Sequence, residues 1–196
     1  RRNKLIASSG AKPGDDIVVT KGVGLEGTAI LALDYFSQLK DKVDMELLTK
    51  AQKLMALTSV VPEGKIAAGL NATSMHDVTE GGLLGAIYEV AEASGVGVEV
   101  EQNLIPILPE TQAICTALQI DPLKLISSGS MLITIPNGQD LAAKLQAEGI
   151  KAAVIGKVTS NKMKVLHTVT SQAEITKPES DELWRIKKIL DNKLQA

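Results

Sequence analysis

Apolar and polar residues change period along this chain in a way that marks out a succession of strands and helices. Asp15 to Lys21 (DDIVVTK) follows the turn Lys12-Pro13-Gly14 and carries three β-formers in a row, which predicts a buried strand. After glycines at 22, 24 and 27, Thr28 to Leu39 is apolar at helical spacing. Asp44 to Leu57 repeats that spacing, with Leu47, Leu48, Ala51, Leu54 and Met55 on one face and Asp44 as N-cap. Pro62 suits the first turn of a short helix ending near Leu70. Ser74 to Val78 reads as a short strand, and Leu83 to Ser94 as a helix stopped by Gly95.

Val96 to Glu101 alternates as a strand, Pro109 to Leu118 is helical, Met131 to Pro136 is a strand and Gly138 to Glu148 an amphipathic helix. Ala152 to Thr159 and Met163 to Val169 predict a hairpin turning near Asn161, and Glu182 to Leu194 a last helix. Two helices separate some of the strands, so the rhythm is not a strict βαβ alternation. The expected fold class is α/β in the α+β sense, with helices packed on a mixed β-sheet. No repeat or linker interrupts residues 1–196, which read as a single domain.

Composition narrows the function classes. The 196 residues hold 21 Lys+Arg against 23 Asp+Glu, a net charge of -2, so no basic stripe exists to neutralise a run of phosphates. Tyr35, Phe36, Tyr88 and Trp184 are the whole aromatic inventory, too few for a base-stacking platform; no nucleic acid is expected as partner. No apolar run approaches the roughly 18 to 20 residues that cross a bilayer, and no signal pattern opens the chain, so no membrane association and a cytoplasmic location are expected. The single cysteine, Cys115, excludes an intrachain disulfide and a Cys-rich zinc site, and its helical apolar setting reads as core.

Three segments could carry chemistry. Gly22-Val23-Gly24-Leu25-Glu26-Gly27 has the G-x-G-x-x-G spacing of a dinucleotide fingerprint between a strand and a helix. Against that reading, Glu26 puts a carboxylate where pyrophosphate would sit, and a second helix follows where a second strand is needed. His76-Asp77-Val78-Thr79-Glu80-Gly81-Gly82-Leu83 gathers ionisable and glycine residues at one strand-to-helix junction. Asp77 or Thr79 could cap the helix. The uncovered N–H groups of Gly81 and Gly82, helped by Thr79 and His76, could hold a phosphate if Glu80 points away. A valine at Gly82 is then expected to block the anion and spare the core. No metal site is expected here, because the other histidine, His167, lies on a distant strand. Ser127-Ser128-Gly129 forms a turn whose hydroxyls could also donate to an anion.

Lys12-Pro13-Gly14-Asp15, the His76-Asp77-x-Thr79-x-Gly81-Gly82-Leu83 string, Glu89-x-Ala91-x-x-Ser94-Gly95-Val96-Gly97, Asp121-Pro122-Leu123, Ser128-Gly129 and Gly156-Lys157-Val158 follow one another in this order. In this the chain resembles the carboxy-terminal domain of the AIR synthase superfamily over about residues 12 to 160. That superfamily includes aminoimidazole ribonucleotide synthetase, thiamine monophosphate kinase, selenophosphate synthetase and the hydrogenase maturation protein HypE, and the H-D-x-T-x-G-G-L string is most similar to HypE and to unassigned AIR-synthase-related proteins.

The resemblance implies an AIR synthase C-terminal-like fold and ATP chemistry. ATP and magnesium would be bound in a full-length parent, mostly by an amino-terminal domain paired across a homodimer, and none tightly by this chain. Nothing in the sequence corresponds to that domain, and the chain opens Arg1-Arg2 without Met; the expectation is a carboxy-terminal half with residues 1–11 as connector, 12–160 as family core and 161–196 as a hairpin strand and helix.

By the same resemblance His76 and Asp77 are the expected catalytic residues facing the cleft between halves, with Thr79, Gly81, Gly82, Ser128 and Gly129 facing phosphate. Two departures from the HypE pattern stand out: Ser127-Ser128-Gly129 takes the place of an Asn-Glu-Gly string, and the chain ends at Ala196 without a terminal cysteine to carry a carbamoyl group. The expected function is thus the phosphate-facing wall of an ATP-dependent active site in a parent that transfers phosphoryl groups or activates an amide, with the missing amino-terminal domain as partner and the chain inactive on its own. The alternatives are a dinucleotide-binding oxidoreductase domain built on Gly22, Gly24 and Gly27, and a non-catalytic docking scaffold of a maturation system.

Overall fold

The computed structural model describes residues 5–194. Seven strands form one sheet: β1 (Asp16–Thr20), β2 (Ser74–Asp77), β3 (Gly97–Glu101), β4 (Met131–Ile135), β5 (Ala152–Thr159), β6 (Lys164–His167) and β7 (Gln172–Glu174), in the order β2-β4-β1-β5-β3-β6-β7. All neighbours are antiparallel except β3 and β6. The helices are α1 (Leu25–Asp34), α2 (Phe36–Leu39), α3 (Met45–Lys53), α4 (Val61–Gly69), α5 (Gly82–Ser94), α6 (Pro109–Leu118), α7 (Gly138–Ala147) and α8 (Glu182–Leu194).

The continuous apolar runs of β1 and β4 are explained by burial on both sheet faces. Ile17, Val19 and Leu132 share a core with Leu83, Ile87 and Val90 of α5, while Val18, Ile133 and Ile135 on the other face pack with Leu141 and Leu145 of α7 and Ala67 of α4. A second core, of Leu31, Leu48, Ile114, Leu183 and Ile186, joins α1, α3, α6 and α8. Cys115 lies in this core; burial, then the nearby Asp121 and Glu182 carboxylates, push its thiol up to about 12, so it is inert, as its apolar setting suggests. Tyr35 donates to Asp191 at 2.5 Å and fastens α8 over this cluster.

Most predicted elements form, with Asp44 capping α3 through the N–H groups of Glu46 and Leu47. Two expectations are corrected, and one strand has no signal in the sequence. The helix after β1 starts at Leu25 and breaks at Tyr35, so Gly24 caps it in the left-handed region (φ 69°) and Gly27 lies inside its first turn. The hairpin of residues 152–169 does not form: β3 is inserted between β5 and β6. Gly156 permits this, since a Cβ there would sit 2.1 Å from the Glu99 carbonyl oxygen. Finally, β7 is a strand of three exposed residues without a β-former, held only by pairing to β6. Of the expected connector 1–11, residues 1–4 lie outside the described residues; Ser8–Gly10 form a 3-10 turn docked on β2 and α5.

The topology removes the dinucleotide reading. Both neighbours of β1 run antiparallel to it, so it is not the first strand of a parallel βαβ unit. Gly22, Gly24 and Gly27 serve packing instead: a Cβ at Gly27 would lie 2.5 Å from the Leu125 Cγ, and one at Gly24 3.2 Å from Thr111.

Candidate functional site

β1 and β2 both run antiparallel to β4, so their carboxy-terminal ends meet the amino end of β4 along one edge of the sheet. Lys21, Asp77 and the Ser127–Ser130 turn converge there. Ser127 and Ser130 are buried and structural: their hydroxyls lie 2.7 Å apart, Ser130 donates to the Gly22 carbonyl, and Ser127 accepts from Leu25 N–H. Ser128 is half-buried, and Gly129 (φ 105°) presses against the loop after α3, where a Cβ would meet the Leu57 carbonyl oxygen at 2.4 Å.

Lys21 organises this edge. Its backbone is left-handed (φ 61°), and its Nζ lies 2.7 Å from Ser59 O, 3.0 Å from Leu57 O and Gly129 O, and 2.6 Å from Glu63 Oε1. Glu63, at the start of α4, is wholly buried, and neither of its oxygens has a hydrogen-bond partner among the described residues, Oε1 being matched only in charge by Lys21. Asp77 is exposed and faces the Gly129 N–H. Partial burial moves its carboxyl above the usual range, helped by Glu26 and opposed by the Gly129 N–H, His76 and Lys21. Glu26 has one solvent-shielded oxygen without a partner among the described residues.

His76 does not share this edge with Asp77. Successive strand residues point to opposite faces, and Met75 packs on the α4/α7 side while His76 points toward α5. There His76 Nδ1 lies 2.8 Å from Ser8 Oγ, and Nε2 lies 3.0 Å from Glu89 Oε2. A ring carrying its proton on Nε2 satisfies both bonds, donating to Glu89 and accepting from Ser8. With Ser94 Oγ donating to Ser8 O and accepting from Ala11 N–H, His76 ties the segment before β1 onto the sheet.

The glycine pair occupies a third setting. Gly81 is the N-cap of α5, and neither Asp77 nor Thr79 caps this helix through its side chain. The Gly81 N–H is donated to Asp181 Oδ2 at 2.7 Å, from the segment before α8, and the Gly82 N–H to the Thr79 carbonyl at 3.1 Å. Pro178 covers the turn, lying 2.8 Å from where a Gly81 Cβ would be. Glu80 does turn away, accepting from Trp184 Nε1 at 2.7 Å, but the N–H groups it frees are already bonded within the chain. Thr79 itself is exposed.

The seven expected residues therefore divide in three: Asp77, Ser128 and Gly129 at the sheet edge, His76 under the connector, and Thr79, Gly81 and Gly82 beneath the segment leading into α8. Lys21, Glu63, Glu26 and Asp181 were not among them. Lys21 follows a strand and Glu63 follows Pro62 at a helix start, and nothing local distinguishes a buried carboxylate there from a solvated one. Among the described residues no group of three or more His, Cys, Asp or Glu is placed to hold a metal ion. No described helix is long and apolar enough to cross a membrane.

Residues 12–168 match the family model described as AIR synthase related protein, C-terminal domain. A similar relative is the carbamoyl dehydratase HypE of Rhizobium leguminosarum bv. viciae, 29% identical over 170 residues, which cover 85% of this chain and 47% of that protein. The chain thus spans about half the length of that relative. Among solved structures, Escherichia coli HypE, a hydrogenase maturation protein, superposes with a TM-score of 0.76 at 23% identity, over 92% of this chain and 55% of the other. HypE in complex with ATP superposes with a TM-score of 0.68 at 21% identity, over 92% and 56%. With the mixed sheet and its flanking helices in the same arrangement, the chain belongs to the AIR synthase related family and carries its carboxy-terminal domain.

Proposed function

We propose that this chain supplies one wall of an ATP-dependent active site whose remaining parts come from an amino-terminal half, paired as a homodimer, and that Asp77, Ser128 and Gly129 are the residues facing the nucleotide. The observation carrying this reading is the convergence of three separate loops on one sheet edge in a domain whose family includes a HypE solved with ATP. The Ser128 hydroxyl offers a donor, and Asp77, with the Gly129 N–H directed at it, offers an exposed acceptor. The charge balance selects the form of the ligand. Lys21 is already paired with Glu63, and Asp77 and Glu26 add two further carboxylates to the edge, so a magnesium-bearing nucleotide meets less repulsion there than a bare polyphosphate. His76 then acts through the connector, as a clasp between the two halves, and not on the phosphate.

The reaction class is phosphoryl transfer from ATP. Ser128 stands where the HypE pattern has a carboxylate, so this wall brings no general base at that position. The purified chain is expected to hydrolyse no ATP above the buffer rate, because too few metal-holding and phosphate-holding groups are present on it. A phosphate-release assay tests this: magnesium-dependent turnover that persists through a second, orthogonal purification contradicts the division of labour.

A further inference from the structure

Lys21 presents three ammonium protons to four oxygens. Two carbonyls belong to the loop after α3 (Leu57, Ser59) and one to Gly129, each accepting a hydrogen bond, and the fourth oxygen is Glu63 Oε1 of α4, an ion-pair contact. The Lys21 side chain is 16% exposed and that of Glu63 0%. Such a pair loses the hydration of both ions, and the second Glu63 oxygen recovers no hydrogen bond, so burial of the pair brings little net stability compared with apolar residues of the same size. What the pair does bring is geometry, because one charged point fixes the relative positions of three chain segments.

Gly129 is the segment that matters. Its carbonyl is held by Lys21, its N–H faces Asp77, its φ of 105° lies where only glycine is at ease, and it carries the half-buried Ser128 before it. Released from Lys21, the Gly129 carbonyl has no other partner among the described residues; the Ser130 N–H of the same peptide stays bonded to Ser127 O at 2.9 Å, so what is loosened is the preceding Ser128–Gly129 peptide, whose N–H faces Asp77. We infer that Lys21, backed by Glu63, is a positioning residue that sets the Ser128–Gly129 turn in the orientation that receives a magnesium-bearing polyphosphate. The role of the ligand rests on the function proposed above; the hold of Lys21 on the turn does not.

The test uses the chain with Lys21→Met/Glu63→Leu, Glu63→Gln and Lys21→Arg, followed by amide hydrogen exchange and by the Gly129 amide signal. The double variant removes both ions together, which commonly leaves a fold intact. It is expected to keep its melting transition while exchange at Ser128, Gly129 and Ser130 accelerates about tenfold or more, as for a locally opened segment. Lys21→Arg, which keeps the charge and its donors, is expected to restore slow exchange and the native Gly129 signal; Glu63→Gln, which keeps an acceptor, is expected to lie between. If a double variant that remains folded shows the native exchange pattern and Gly129 signal, the inference is overturned. It is equally overturned if Lys21→Arg behaves like the double variant. Failure of the functional reading shows separately, as a native chain whose Gly129 signal ignores added Mg-ATP while the exchange results still distinguish the variants.

Discussion

Gly82→Val is expected to destabilise the fold severely, by roughly 4 to 5 kcal/mol, a loss large enough to need a specific structural cause. Two costs add. At φ 63° Gly82 lies in the left-handed region, where an L-residue loses about 1 to 2 kcal/mol and a β-branched one fares worst. A Cβ would also sit 2.6 Å from the Leu123 carbonyl oxygen and 2.8 Å from Leu125 N and Lys124 C, all backbone atoms that cannot step aside alone. The expectation drawn from sequence, that a side chain here would block an anion and spare the core, is reversed by this geometry. Gly95→Ala separates the two costs, because Gly95 has a φ of 66° but nothing within 4 Å of a Cβ. It should lose only about 1 kcal/mol, the conformational part by itself. Urea denaturation of both variants checks this; equal losses would mean that close approach to residues 123–125 contributes nothing.

Asp181→Ala is expected to be the second large effect, about 3 to 5 kcal/mol, since the buried donors that lose their acceptor each cost about 1 to 3 kcal/mol, partly offset by no longer burying a carboxylate. Asp181 is buried, accepts from Gly81 N–H at 2.7 Å and Leu183 N–H at 2.8 Å, and is bonded also by Ile126 N–H. It thereby joins the start of α5 to the start of α8. Burial outweighs these bonds and raises its pKa above the ordinary 3.8, with Glu80 adding to the rise. A raised folded-state pKa means that the folded chain holds this proton more tightly than the unfolded chain. The associated stability is full below pH 3.8 and is lost as pH rises through the folded value. Asp181→Asn should therefore lack this loss while still being weaker than the native chain, because one amide face offers donors where N–H groups need an acceptor. A native-like decline in the Asn variant over that window would assign the pH dependence to another group.

Elements whose determinants lie close together in the chain are legible in the sequence, and those fixed by distant contacts are not. Helix α5 was legible because its apolar spacing and Gly95 stop lie within fourteen residues, and the Asp44 cap because donor and acceptor are two and three residues apart. The insertion of β3 between β5 and β6 was not, since Val98 pairs with Val158 and Lys164 through contacts that no local period encodes. The candidate site shows the same division. Asp77 and Ser128–Gly129 carry the family pattern and lie together at the sheet edge, but the fate of the Gly81 N–H depends on Asp181, a hundred positions away. His76 parts from Asp77 for a simpler reason: the two are neighbours in a strand, and strand neighbours face opposite ways. Lys21 and Glu63 carried no signal, because a lysine after a strand and a glutamate after a helix-starting proline are ordinarily solvated.

The sheet edge holding Asp77, Ser128 and Gly129 is the central claim, and it separates cleanly from the glycine turn of α5 in one measurement. The isotopically labelled chain is titrated with Mg-ATP while the backbone amide signals of Asp77, Ser128, Gly129, Gly81 and Gly82 are followed. The expected result is weak, saturating movement of the first three, smaller when magnesium is removed by chelation, with Gly81 and Gly82 unmoved because their N–H groups stay bonded to Asp181 and Thr79. Movement confined to Gly81 and Gly82, or no movement of the edge residues at millimolar Mg-ATP, would contradict it.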